Sequence, residues 1–243
     1  MNDDMRWAAY FAQVAEDLLA DPGELTFDRV VRRAVEVVPP ADHCGITLRQ
    51  RRGRAETVAA TGDVVLAVDA AQYALGEGPC LDAAFESGSC VVDDVRADDR
   101  WPRWSQVAAD HGVHAALAIR LHSGGTTLGA LNLYAGRAGA FDQDSVDTAL
   151  IFATHAAEAL SKARLVGNLE AALESRHVIG MAQGVIAVRY DVSYESAFTV
   201  LQRYSNDNNI KLRDVARTVL ESRELPSAPR GPVVADVGDL DPA

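Results

Sequence analysis

The chain has 243 residues, of which 48% are hydrophobic and 24% charged. This composition is typical of a folded protein with one large domain or two small ones. The apolar stretches are far shorter than the ~18–20 residues needed to cross a bilayer, and the first segment carries several acids, so the sequence disfavours a membrane protein or a secretory signal. Three cysteines without CxxC spacing, Cys44, Cys80 and Cys90, favour free thiols in a reducing cytoplasm.

The charge is strongly acidic overall but unevenly distributed. A net charge of −12 arises from 23 basic and 35 acidic residues, and as an average it disfavours a polyanionic partner. Residues 176–223, however, contain seven basic and five acidic residues, a local charge of +2 against −14 elsewhere. Nucleic acid therefore stays open as a partner for this C-terminal segment.

The first part of the chain changes from helical to strand-like periodicity. Helical spacing of apolar residues predicts helices over 5–20 and 27–38, and short β-branched runs at 44–49 and 56–61 predict a hairpin. Further predicted elements are helix 64–73, short helix 80–86, strand 89–92, helix 100–111 and strands 115–121 and 128–135. Strands and helices do not alternate strictly, so the pattern predicts an α+β fold, an antiparallel sheet with flanking helices.

A long helix is predicted to follow Asp142, a residue suited to cap it. Small and apolar residues recur along it at steps of three and four, as in a coiled-coil seam. The seam residues are Phe152, Ala156, Ala159, Ala163, Val166 and Leu173. For residues 149–160 two interpretations stay open, packing on the sheet of the same chain or pairing with a second chain. Beyond Ser161 we expect the helix to outrun its own sheet and to form a homodimer.

The C-terminal part is purely helical in pattern and predicts a minimal three-helix bundle. The first helix covers 178–190, the second is capped by Ser193, and the third carries Leu212 and Leu220. Residues 206–209 predict the turn between the last two helices. From residue 224 onward the sequence is rich in proline and aperiodic, which predicts a disordered tail.

Three segments of this bundle together resemble the ANTAR domain, the RNA-binding module of bacterial transcription antiterminators. They read IGMAQGVI at 179–186, YESAFTVL at 194–201 and NNIKLRDVA at 208–216. The resemblance covers residues 176–223 and implies that the bundle binds paired hairpin loops of nascent RNA and prevents a terminator from forming. The overall likeness is to ANTAR regulators of actinobacterial type.

The candidate RNA-binding residues follow from this resemblance and from the local charge. They are Arg176, Ala182, Gln183, Gly184, Arg203, Ser205, Asn208, Lys211 and Arg213. Ala182 and Gly184 match small positions that permit close approach of a helix or of RNA. Many family members carry a lysine where this chain has Gln183, while Ser205, Asn208 and Lys211 match the polar corner before the last helix.

Residues 25–161 resemble a GAF sensor domain, and GEGPCLDA at 76–83 looks like the loop of GAF domains fused to ANTAR domains. The expected ligand pocket is lined by Cys80, Trp101, Trp104, Ile119 and Leu131. The two tryptophans either line this pocket or fill it. Nothing in the sequence selects a ligand, so no cofactor is expected and the ligand of the GAF domain stays unknown.

Catalytic and metal-binding patterns are missing from the sequence. It contains no glycine-rich phosphate loop, nucleophile elbow or HExxH, and His111 with His114 makes a poor metal pair. The segments 78–80 and 92–95 faintly resemble the site of free-methionine sulfoxide reductases, but residues 96–121 lack the further cysteine those enzymes need. Cys80 and Cys90 are the remaining candidates for a redox pair. We expect neither enzymatic activity nor a metal.

The predicted organisation is an N-terminal helix (1–24), a GAF-like sensor domain (25–161), a helical linker and seam (162–175), an ANTAR RNA-binding domain (176–223) and a tail (224–243). The predicted function is that of a cytoplasmic, homodimeric antitermination regulator that senses a small-molecule or redox signal. We expect RNA as its partner, and neither a membrane nor DNA. One alternative is a DNA-binding helix-turn-helix over 193–220, in which the base-reading side chains are Lys211, Arg213 and Arg217. The other is a protein-interaction module.

Overall fold

The computed structural model describes residues 26–49, 54–83 and 88–225. The helix predicted over 5–20, the end of the short helix predicted over 80–86 and the tail after residue 225 lie outside the described residues. The chain divides into two compact units, Met1–Gly167 and Asn168–Ala243.

The first unit is built on a five-stranded antiparallel sheet in the order β2-β1-β5-β4-β3. The strands are β1 (His43–Arg49), β2 (Ala55–Ala60), β3 (Ser89–Val92), β4 (Ala115–Ser123) and β5 (Thr126–Ala135). The predicted α+β class and the predicted hairpin of β1 and β2 are confirmed. The predicted strands 115–121 and 128–135 form a second hairpin, β4 and β5, through a turn whose Gly124 and Gly125 have positive φ.

Seven helices are described. They are α1 (Phe27–Val37), α2 (Asp63–Leu75), α3 (Pro79–Asp82), α4 (Pro102–Asp110), α5 (Gln143–Tyr190), α6 (Tyr194–Asn208) and α7 (Leu212–Ser222). Local chemistry sets their ends. Thr26 caps α1 by accepting from the backbone N–H of Arg29 at 3.2 Å, and Gly76 ends α2 in the left-handed conformation.

The sheet has two different faces because side chains alternate along each strand. On one face, Ile46, Leu117 and Leu131 pack with α1 and with the first part of α5 in an apolar core. On the other face, Ala118 and Tyr134 turn towards α2 and α4. Asn132 lies between Leu131 and Leu133 on β5, so it points to the second face.

The start of the predicted dimer seam belongs to the first of these cores. Phe152, Ala156 and Ala159 are buried against the sheet of their own chain, with at most 2% exposure. The expectation that these three pair with a second chain is therefore wrong, and the interpretation of packing on the chain's own sheet holds. Ala163 and Val166 are half-buried and Leu173 is exposed, so a seam in this later part stays a prediction.

The helix α5 is continuous where the sequence suggested two pieces. Asp142 caps it as predicted, accepting from the backbone N–H of Ser145 at 2.9 Å. The helix then runs without interruption to Tyr190, so the first bundle helix predicted over 178–190 is the C-terminal part of α5. Among the described residues, no helix is long and apolar enough to span a membrane.

The second unit packs the end of α5 with α6 and α7. Its buried residues are Ala182, Ile186, Ala197, Leu201, Val215, Ala216 and Val219. Ser193 caps α6 as predicted, accepting from the backbone N–H of Ser196 at 3.1 Å. The turn predicted over 206–209 is shorter than expected, because α6 continues to Asn208 and only Asn209 turns left-handed, with φ of 51°.

A close contact within the sheet gives a stability prediction. A Cβ added at Gly129 would lie 1.8 Å from the carbonyl oxygen of Thr47, so Gly129→Ala must push β1 and β5 apart. We expect a loss of about 1–3 kcal/mol in the free energy of unfolding, as for overpacked cores. Urea unfolding followed by tryptophan fluorescence measures it, since Trp101 and Trp104 are buried in the first unit.

The matched control is Gly167→Ala on α5, where an added Cβ meets no heavy atom within 4 Å. We expect this variant to match or exceed the wild type, because alanine favours a helix over glycine by about 1 kcal/mol. Equal stability of the Gly129→Ala variant and the wild type would contradict the described packing of β1 on β5.

Candidate functional site

A buried polar cluster occupies the second face of the sheet, between β1, β2, β5 and α2. Its members, hereafter the Asp69 cluster, are Thr47, Thr57, Asp69, Gln72, Tyr73, Asn132 and Tyr134. The side chains of Asp69 and Gln72 are completely buried, and Thr47, Asn132 and Tyr134 are 1% exposed. Buried polar residues at this density are expensive unless each finds a partner, so the cluster is a candidate functional site.

The Asp69 carboxylate is the centre of the hydrogen bonds in this cluster. It accepts from Thr57 Oγ1 at 2.8 Å, from Gln72 Nε2 at 3.2 Å, from Asn132 Nδ2 at 3.3 Å and from the hydroxyl of Tyr134. A Cβ at Gly45 would lie 2.5 Å from Val65 Cγ1 and 3.3 Å from Asp69 Oδ2, so glycine in β1 permits α2 to come this close.

The cluster reaches the loop before α3 through Gln72. Its Oε1 accepts from the backbone N–H of Cys80 at 2.8 Å, and the Cys80 thiol donates to Thr47 Oγ1 at 3.2 Å. Gly78 has φ of 143°, and a Cβ there would lie 2.3 Å from Gln72 Oε1. The glycine-rich loop is thus closed directly over the cluster, and only glycine fits at its closest approach.

Burial dominates the electrostatics of the cluster. Desolvation raises the pKa of Asp69, and the hydrogen bonds from Tyr134, Thr57, Asn132 and Gln72 oppose this rise. Desolvation, with the nearby Asp69, also raises the pKa of Cys80 to about 12, so its sulfur is a thiol at neutral pH. Asn132 Oδ1 is buried and has no hydrogen-bond partner among the described residues.

The two tryptophans of the predicted pocket fill this side of the unit. Trp104 is completely buried and Trp101 is 4% exposed, and their rings meet edge to face with centroids 6.1 Å apart. Trp104 Nε1 donates to the carbonyl of Val68 at 3.1 Å. Glu77 holds the start of α4, accepting from the backbone N–H groups of Arg103 at 2.8 Å and Trp104 at 3.0 Å. Of the two alternatives for the tryptophans, lining the pocket or filling it, the structure therefore shows the second.

The predicted pocket lining needs a correction. Ile119 and Leu131 belong to the apolar core on the opposite face of the sheet, with α1 and α5. They cannot line one cavity with Cys80, Trp101 and Trp104, because strand alternation sends them through the sheet to the other side.

The three cysteines are free and buried. The Cys80 thiol donates to Thr47, whereas the Cys90 sulfur lies 3.3 Å from Arg100 Nη1. Cys80 and Cys90 thus have different partners and do not contact each other as a redox pair. The high pKa of Cys80 makes it a poor nucleophile for disulfide exchange. Within the described ranges, no group of three or more histidine, cysteine or acidic side chains is placed to hold a metal ion.

In the second unit, two predicted RNA-binding residues serve the bundle itself. Ala182 is completely buried in the core, so the expectation of direct RNA contact is wrong there and its small size serves helix packing. Gln183 is half-buried and donates through Nε2 to the carbonyl of Tyr194 at 2.7 Å, which anchors the first turn of α6. Gly184, by contrast, is open, since an added Cβ would meet nothing within 4 Å.

The predicted cations divide into paired and unpaired ones. Arg203 lies 3.6 Å from Asp207 and Arg213 lies 3.5 Å from Asp214. Arg176 and Lys211 are exposed, and no carboxylate among the described residues pairs with either. An external anion can therefore bind these two side chains without first breaking an ion pair.

The polar corner between α6 and α7 is also partly occupied. The Ser205 hydroxyl donates to the carbonyl of Ile210 at 2.6 Å, and Asn208 Nδ2 donates to the carbonyl of Tyr204 at 2.9 Å. These bonds fix the corner that presents Lys211, the residue preceding α7. A role for Ser205 and Asn208 in contacting RNA stays a prediction.

Sequence reasoning missed the Asp69 cluster, although a signal was present. Asp69, Gln72 and Tyr73 interrupt an otherwise apolar helical run at spacings of three and four, which places them on one helix face. Asn132 interrupts a strand whose neighbours on both sides are apolar. Polar residues on one face of a helix and within a buried strand predict a shared polar core.

Comparison with known proteins identifies both units. The family model described as GAF domain matches residues 24–161, and the ANTAR domain model matches residues 167–220. The chain belongs to the GAF domain family and carries an ANTAR domain after it. A GAF sensory domain followed by an ANTAR output domain defines a regulator of the antitermination type. No curated protein matches the chain.

Solved structures share the fold at low sequence identity. A GAF domain from a phosphoenolpyruvate-protein phosphotransferase of Coxiella burnetii is 19% identical, with 69% of this chain and 99% of that chain covered and a TM-score of 0.52. The phytochrome photosensory core module of Stigmatella aurantiaca is 11% identical, with 81% and 44% covered and a TM-score of 0.54. These two similarities show the GAF fold.

The buried carboxyl of Asp69 predicts a pH dependence of stability. Because burial raises its pKa above the ordinary 3.8, the folded state keeps this proton where the unfolded chain has lost it. The wild type therefore loses stability relative to an Asp69→Asn variant as pH rises from about 4 through the folded-state pKa. Urea unfolding of both proteins over about pH 4–8 measures the difference. A difference that does not change with pH would contradict the raised pKa.

Proposed function

We propose that this protein is a cytoplasmic antitermination regulator whose ANTAR domain binds paired hairpin loops of nascent RNA and prevents a terminator from forming. The observation that carries the proposal is the ANTAR match at residues 167–220 on a bundle with exposed, unpaired cations. GAF and ANTAR domains are regulatory and sensory, and the proposal assigns the chain no catalytic activity.

RNA fits the bundle better than duplex DNA. A DNA recognition helix needs several free base-reading side chains near its start. Arg213 and Arg217 on α7 lie in ion pairs with Asp214 and Glu174 at 3.5 and 2.8 Å. Of the three candidates for reading DNA, this leaves Lys211 alone without a carboxylate partner among the described residues. RNA loops with splayed bases are bound by few cations together with polar and aromatic side chains, which suits this surface.

In this proposal the signal is a small polar molecule that binds at the Asp69 cluster. Gln72 joins the carboxylate of Asp69 to Cys80 at the start of α3, so a ligand that took over one of these hydrogen bonds would also shift α3 and the loop before it. Asn132 Oδ1 supplies a buried acceptor without a partner among the described residues. A redox signal is disfavoured because burial keeps the Cys80 sulfur protonated.

The proposal also includes a homodimer formed by the middle of α5. Leu165, Leu169 and Leu173 follow one another at steps of four and are 59%, 56% and 66% exposed. Large side chains repeated at this spacing form one apolar stripe, as in coiled coils. In this proposal the two chains contact each other through this stripe and Val166, and the buried residues 152–159 take no part in the contact. A dimer would double the RNA contacts of a weakly basic bundle.

RNA binding is tested with the full chain, a two-hairpin RNA and a duplex DNA of equal length in a gel-shift titration. We expect binding to the RNA alone, and we expect Lys211→Ala to weaken it and to lower the slope of log affinity against log salt by about one. Arg96→Ala in the first unit is the charge-matched control and should change neither quantity. Binding to the duplex DNA in preference to the RNA would contradict the proposal.

The dimer is tested by Leu169→Glu, which places a charge in the middle of the apolar stripe. We expect the wild type to sediment as a dimer and the variant as a monomer at the same concentration in analytical ultracentrifugation. Leu66→Glu is the control, because Leu66 is 47% exposed on α2 and lies outside the stripe. A monomeric wild type, or a dimeric Leu169→Glu variant, would show that the stripe does not join two chains.

A further inference from the structure

Two aromatic side chains stand exposed on α6 of the bundle. Tyr194 is 52% and Phe198 is 36% exposed, and the two residues are one helical turn apart on the same face. Large apolar side chains normally enter the core of so small a unit, but neither belongs to its buried cluster. Their position outside the core therefore suggests a role in contact with a partner.

The Tyr194 side chain is held through its hydroxyl, and the backbone at Tyr194 is held through its carbonyl. The hydroxyl donates to the carbonyl of Gly180 on α5 at 2.9 Å, and the backbone carbonyl accepts from Gln183 at 2.7 Å. The side chain has therefore lost much of its rotational freedom before any partner arrives. A flat, fixed and exposed ring is a preorganised surface for stacking.

The position on α5 whose carbonyl accepts from Tyr194 is a glycine, Gly180, and one turn further along the helix Gly184 also lacks a side chain. Added Cβ atoms at Gly180 and Gly184 would each meet no heavy atom within 4 Å. Each glycine costs the helix about 1 kcal/mol relative to alanine, and nothing in the fold requires that cost. The two glycines leave room beside the Tyr194 ring for a partner to approach the helix backbone closely.

A cation lies next to this open face. Arg176 is four residues before Gly180 and hence on the same side of α5, and it is exposed with no carboxylate partner among the described residues. A fixed aromatic ring, open helix backbone and an unpaired guanidinium together fit a base with its phosphate. A purely apolar protein partner would leave the guanidinium unused.

We propose that Tyr194, extended by Phe198, is a stacking platform for a base splayed out of the bound RNA loop. The backbone of that loop approaches α5 at Gly180 and Gly184, and Arg176 contacts a phosphate. This inference rests on the proposed RNA-binding function and adds the residue that holds an unpaired base. Base stacking on aromatic side chains is tolerant of sequence, so the platform serves loops that differ between transcripts.

The test uses the full-length chain and a two-hairpin RNA with 2-aminopurine at each loop position in turn. Tyr194→Leu removes the ring but keeps apolar bulk, whereas Tyr194→Phe keeps the ring and loses only the hydroxyl. We expect Tyr194→Leu to weaken RNA binding by about 5- to 100-fold, with an unchanged salt slope. We expect Tyr194→Phe to stay within about threefold of the wild type, since one neutral hydrogen bond is lost.

A spectroscopic readout and a control separate stacking from folding. At one loop position the 2-aminopurine fluorescence should be quenched by the wild type and by Tyr194→Phe, but not by Tyr194→Leu. Tyr190→Leu is the matched control, an aromatic residue 46% exposed at the end of α5, and should bind RNA like the wild type. Thermal unfolding of each variant reports whether the bundle is intact.

The outcomes distinguish this inference from the function on which it rests. If the wild type binds no RNA, the proposed function fails and the platform with it. If the wild type binds and Tyr194→Leu binds equally well, RNA binding stands and the platform is overturned. Loss of binding in both Tyr194 variants, with a lowered melting temperature, would make Tyr194 a structural anchor only. A loss of dimers rather than of RNA affinity would make this face a protein contact.

Discussion

The buried carboxylate of Asp69 is the constraint on which the first unit depends. An acidic group without exposure is tolerated only if donors surround it, and here they arrive from β2, β5 and α2 itself. The requirement explains why Gly45 lacks a side chain beneath α2 and why Gly78 lies against Gln72. The apolar face of the sheet holds α1 and α5, whereas the polar face fixes a loop. The proposed site of the signal is therefore on the polar face of the sheet, opposite the core formed with α1 and α5.

The helix α5 contributes to two cores in succession. Phe152 and Ala156 are buried in the first unit, and Ala182 and Ile186 are buried in the second, while Leu165, Leu169 and Leu173 between them are exposed. Exposed leucines are unusual between two well-packed segments and give the proposed dimer its location. Regulation through this segment requires that the signal favour one of two states of the helix pair, because a ligand shifts only equilibria in which its affinities differ.

Most of the fold could be predicted from the sequence, because periodicity and turn chemistry are local. The hairpin of β4 and β5, the cap at Ser193 and the core role of Leu201 follow from such patterns. The sequence does not show that Ile119 and Leu131 lie on the face covered by α1 and α5, because which helices cover each face depends on contacts between elements far apart in the chain. A similar limit applies to Ala182: a motif indicates which residues recur, but only packing shows that the core of the bundle needs this one for itself.

In the proposed function, this chain prevents termination by binding RNA. Single-round transcription through a terminator preceded by two hairpins tests it most directly, with the fraction of full-length transcript as the measured quantity. We expect this fraction to rise with added protein, and not to rise when the loop sequences of both hairpins are replaced. An unchanged fraction at protein concentrations that saturate the RNA would contradict a role in antitermination, since the chain would then bind transcripts without controlling their termination.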